Sequence, residues 1–134
     1  MSDTHVVLHD PDGRLDSELP LDRELHKALV KAVLGWAGHS SLLPPADLKQ
    51  IALLLTGAAR AVAADVRRAA DLLPADHAAR ALADVVLEEA DRCLSVPPEG
   101  TVRCAQSRAR LVRALYERLD RLASVAPQAV TAAP

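Results

Sequence analysis

From Leu48 to Leu73, apolar side chains recur at steps of three and four residues: Leu48, Ile51, Leu55, Ala58, Ala59, Val62, Val66, Ala69 and Leu73. That is the period of an α-helix with one buried stripe. Pro44-Pro45 precedes the run, where a missing N–H costs nothing, and Pro74 closes it. The helix so defined is on the order of 40 Å long, and its stripe must be buried against something. The apolar residues available are mostly Ala, Leu and Val, with one Trp, one Tyr and no Phe. Ala and Leu form helices well and strands poorly, so the expected partners are other helices approaching closely over small side chains.

Three more helices are legible around it. The first spans Leu21 to Ala37 on the stripe Leu21, Leu25, Leu29, Ala32, Val33 and Trp36, with Gly38 ending it. The third begins near Ala75-Asp76, buries Ala79, Leu82, Val86, Ala90 and Cys93, and stops at Ser95 ahead of Pro97-Pro98. Thr101 is the expected N-cap of the fourth, whose stripe is Cys104, Leu111, Val112, Leu115, Tyr116, Leu119 and Leu122. Short links between amphipathic helices imply an all-α, antiparallel four-helix bundle over residues 20–125. A flexible arm over 1–19 and a disordered tail over 126–134 flank it. A chain of 134 residues is long enough for one self-sufficient core.

The net charge of -2 and the mixed signs of its charged residues give no basic field of the kind nucleic acid requires. Arg103, Arg110, Arg113 and Arg121 form a basic strip that Glu117 interrupts, without a recognition motif or stacking aromatics, so nucleic-acid binding is not expected. No apolar run approaches the ~20 residues of a membrane span, and MSDTHVV does not read as a secretory leader. A cytoplasmic location is the resulting expectation. His5, His9, Asp10 and Asp12 lie on the polar arm, which offers no scaffold for tetrahedral metal geometry. The Glu-x-x-His signature of di-iron bundles is missing, and no metal, cofactor or catalytic residue is expected.

The chemistry, if any, lies in the hairpin CLSVPPEGTVRC, residues 93–104, which holds the two cysteines. A turn centred near Pro98 puts Cys93 level with Cys104 and Glu89 level with Arg108. In the cytoplasm two such thiols stay reduced and serve as small apolar residues. Zinc would need two further ligands within reach. A catalytic thiol rests on Cys104 lying in the first turn of its helix. Glu89 and Arg108 are expected to pair across the buried faces, either fixing the hairpin's register or reading a polar ligand.

The strings LLTGAARAVAADVRRAADLLPAD, ALADVVLEEADRCL and CAQSRARLVRALYERLD resemble an actinobacterial, Streptomyces-type family. It is domain-of-unknown-function family six-four-one-five, whose members are labelled natural product biosynthesis proteins. The resemblance covers roughly residues 25–122 and is carried by Leu55, Gly57, Asp65-Val66, Leu73-Pro74, Asp76, Glu89-Ala90, Arg92, Leu94 and Arg108. Where the family often has Pro before the acid of its second helix, this chain has Ala64. The high-GC coding bias behind thirteen Arg against three Lys agrees with such a source. The resemblance implies a link to specialised metabolism and transfers no activity.

Two functions follow as expectations. The first is a non-enzymatic interaction protein, accessory or regulatory to natural product biosynthesis, that forms a homodimer or binds another protein. Val30, Leu34 and Leu53 lie off the main stripes and Gly57 leaves a flat spot, so these four mark the expected interface. The second is a small-molecule-binding bundle in which Glu89 and Arg108 line a cavity.

Overall fold

The computed structural model describes residues 22–36 and 43–132, with side chains as far as Val125. The expected arm over 1–19, its His and Asp residues, and Gly38 lie outside the described residues. Four helices follow in order: α1 (Arg23–Leu34), α2 (Pro45–Asp71), α3 (Ala78–Leu94) and α4 (Val102–Ala132). The protein is an all-α four-helix bundle, with no strand among the described residues.

Local chemistry sets most helix ends. Asp22 caps α1 by accepting from the Leu25 N–H at 3.2 Å. Pro45 occupies the first turn of α2, His77 Nδ1 accepts from the Ala79 N–H at 3.0 Å at the start of α3, and Thr101 Oγ1 accepts from the Cys104 N–H at 3.1 Å at the start of α4. Two boundaries differ from expectation. α1 ends at Leu34, with Gly35 as its C-cap, one turn short of Ala37. The tail expected from 126 is instead the last part of α4, which runs through Pro127 to Ala132. That passage forgoes the bond from residue 127 to the Ala123 carbonyl, within a stretch rich in Ala, the strongest helix former.

Directions follow from tertiary contacts. Arg23 bonds Asp120 while Gln106 reaches Val33 and Trp36, so α1 runs antiparallel to α4. Arg67 on α2 meets Asp84 on α3, and Arg60 reaches Leu94, so α3 runs antiparallel to α2. Gly100 lies against Pro45, which sets the starts of α2 and α4 together and makes those two helices parallel. They form the most extensive interface of the bundle; α3 flanks both, and α1 rests chiefly on α4. The bundle is thus flattened across one diagonal. Small residues explain it: Ala58, Ala59 and Ala70 of α2 and Ala105 and Ala109 of α4 all belong to the core and permit close approach of the two axes. Around them Leu55, Val62, Val66, Val112, Leu115 and Leu122 are fully buried, each Leu contributing roughly 1.5–3 kcal/mol by leaving water.

The stripe of α3 is rotated from expectation, while α4 buries Val112, Leu115, Tyr116 and Leu122 as expected. On α3 the buried residues are Ala83, Ala90 and Leu94, while Leu82 is 52% exposed and Cys93 half-buried. On α4, Ala105, Arg108 and Ala109 are buried, while Cys104 and Leu111 are half-buried. Alanine ranks low in a hydrophobicity reading, yet the closest helix contacts select it.

Candidate functional site

The α3–α4 hairpin brings part of the expected constellation together. Cys93, Cys104 and Arg108 line one cavity of about 290 Å³, with Val96, Glu99 and Thr101 among its other walls. Both thiols are free, and the Cys104 Sγ accepts from the Glu99 N–H at 3.3 Å. The expected Glu89–Arg108 pair does not form. Glu89 points to solvent, 71% exposed, with Arg92 on its own helix 3.8 Å away. Arg108 is 3% exposed, its Nη2 donates to the Val96 carbonyl at 2.6 Å, and its Nη1 is buried without a partner. The rotation of α3 turns residue 89 to solvent and away from Arg108.

The larger opening is a cleft of about 790 Å³ between α1 and α4. At one end a cluster joins the two helices. Arg23 Nη2 meets Asp120 Oδ2 at 2.6 Å, the Arg23 guanidinium sits 4.6 Å over the Tyr116 ring, and the Tyr116 hydroxyl lies 2.6 Å from His26 Nδ1. Asp120 is held below the usual carboxylate range, first by its hydrogen bond from Arg23. The same bond raises the Arg23 guanidinium. Burial raises the Tyr116 phenol, against the pull of Arg23, so the hydroxyl stays protonated and keeps its bonding role.

Val30 and Leu34, two of the four expected interface residues, line this cleft. Val30 is buried at 7% exposure and Leu34 packs against the core, so neither is the free surface residue that its place off the stripe implied. Leu53 is 40% exposed on α2, and Gly57 is half-buried. Around the cleft both signs of charge occur, with Arg23 and Lys27 among the acids of its N-terminal half. Lys31 and Arg113 stand toward the C-terminal end of α1, with Glu24, Glu117 and Asp120 toward its N-terminal end. Sequence reasoning missed this cluster, whose one signal was Tyr116 on an apolar stripe, a buried phenol that needs a partner.

Among the described residues no group of three or more His, Cys, Asp and Glu could hold a metal, and no helix is long and apolar enough to cross a membrane. Compared with family models, curated proteins and solved structures, the chain matches none.

Proposed function

We propose that this is a cytoplasmic, non-enzymatic interaction protein that self-associates through the α1–α4 cleft. The observation that carries the reading is the set of opposite charges that line the cleft, with Lys31 and Arg113 toward one end and Glu24 and Glu117 toward the other, Arg23 being taken up by Asp120. A two-fold axis across it would set Lys31 and Arg113 of one copy against Glu24 and Glu117 of the other, and the same pairs would recur in reverse, as an isologous interface requires. Among the apolar lining residues Ala28 is exposed and Leu34 half-buried, while Val30 and Tyr116 are already buried, so the apolar centre within the polar rim is small. An accessory role in natural product biosynthesis is the biological setting, and the resemblance of the three helical strings supports it.

Light scattering coupled to gel filtration tests the reading. The protein should run as a dimer, and Lys31→Glu with Arg113→Glu should weaken that dimer by about tenfold or more. A second variant, Glu24→Lys with Glu117→Lys, should behave alike, and mixing the two should restore a heterodimer. A wild-type monomer at high micromolar concentration, or swapped variants that dimerise as well as the wild type, would remove the proposal.

A further inference from the structure

We infer that the α3–α4 hairpin holds a second site, separate from the α1–α4 cleft, that binds a small anionic group, a carboxylate or a phosphate, against Arg108. A guanidinium 3% exposed is costly to bury without a counter-charge. Among the described residues no acid lies within ion-pair distance of Arg108, its one bond is to the Val96 carbonyl, and its Nη1 has no acceptor. The same cavity is lined by Arg103, which adds a second cation, and by the hydroxyl-bearing Ser107. It opens at the start of α4, where the helix dipole is positive. Thr101 Oγ1 occupies the Cys104 N–H, and the Ala105 N–H bonds the Thr101 carbonyl. The Val102 and Arg103 N–H groups precede those bonds in the first turn of the helix, and Arg103 lines the cavity. Glu99 is the one acidic lining residue and is exposed.

The cavity's size limits what enters. About 290 Å³ lies at the lower edge of ligand pockets, so the site takes a small anion or the anionic end of a larger molecule. An anion seated on Arg108 supplies the acceptors its planar fork lacks, in a geometry that carboxylate and phosphate both match. It also covers Cys93 and Cys104, which share the walls.

The experiment titrates the full chain with inorganic phosphate and, separately, with malonate at fixed ionic strength, chloride serving as the reference. Backbone amide shifts are followed by NMR. Saturable shifts at Val102, Arg103 and Cys104 are expected with one or both probes, the tighter one giving the chemical class. Arg108→Met should weaken binding by about tenfold or more, the loss of one charge-assisted hydrogen bond. Arg103→Met alters an exposed residue and keeps the test open if Arg108→Met fails to fold; it should weaken binding several-fold. Bound anion should slow alkylation of both thiols. Shifts no larger than those with chloride, or affinities unchanged in Arg103→Met and in a folded Arg108→Met, would overturn the site. The self-association reading stands or falls apart from this result, since no cleft residue is touched.

Discussion

Arg108 is a cation kept in the core with a backbone carbonyl as its one bonded neighbour among the described residues. Its stability effects should therefore differ in sign with the replacement. Arg108→Met keeps most of the volume and removes a desolvated charge, and should leave stability unchanged or raise it by about 1 kcal/mol. The Val96 carbonyl it frees belongs to a residue 55% exposed and can bond water. Arg108→Ala opens space and should cost about 2–3 kcal/mol. Glu89→Ala, at an exposed position, should stay within about 0.5 kcal/mol. Urea unfolding of the three variants checks the set; a matching loss of several kcal/mol in Arg108→Met and Glu89→Ala would restore the ion pair that the geometry excludes.

Helix ends are tied across the bundle. Gln106 of α4 donates to the Val33 and Trp36 carbonyls at the end of α1. Arg80 of α3 donates to the Leu73 carbonyl just past α2 at 2.8 Å, and Arg60 of α2 donates to the last residue of α3, Leu94, at 3.2 Å. Carbonyls that a helix leaves orphaned thus receive donors from a neighbouring helix, two of the three cationic and matched to the negative end of the dipole. At the opposite ends, Gly100 lets the α3–α4 link touch the start of α2: a methyl group there would fall well inside contact distance of the Pro45 carbonyl. The obstacle is backbone, which cannot rotate away. Gly100→Ala should therefore cost about 1–3 kcal/mol by pushing the two helix starts apart, measured as a lowered Tm, whereas Gly35→Ala meets a milder approach to the Lys31 carbonyl and should cost less.

Across the whole molecule, stability is unevenly spread. α2 and α4 share the main interface, while α1 rests on α4 and barely meets α2, so α1 is the element expected to open first. Its attachment includes Arg23–Asp120, a pair 38% and 56% exposed, which at such exposure is worth at most about 1 kcal/mol. Because Asp120 titrates below its ordinary value in the folded chain, the pair's contribution is complete above the unfolded carboxylate pKa of about 3.9 and fades as pH falls through the lowered folded value. Amide exchange should show α1 losing protection ahead of α2 and α4 as the solution is acidified. Asp120→Asn should show the same loosened α1 at neutral pH, with little further change on acidification. Equal protection of all four helices in both proteins would contradict this hierarchy.

The sequence by itself determined the elements. A 3.6-residue apolar period, Pro44-Pro45, Pro74 and Pro97-Pro98 as punctuation, and Thr101 as a cap act within one or two turns, so four helices and their order were legible without a fold. Tertiary structure decided rotation and neighbours. One residue turns a side chain by about 100° around its helix, and this small step placed Glu89 in solvent and Ala105 and Ala109 in the core. The hairpin cavity was half visible, through Cys93, Cys104 and Arg108. The cleft was visible only through Val30 and Leu34, and its polar cluster not at all: Arg23 meets Asp120 and His26 meets Tyr116 across separations of 97 and 90 residues. No local pattern links such positions; only the choice of α4 rather than α2 as the bed for α1 brings them within a hydrogen bond.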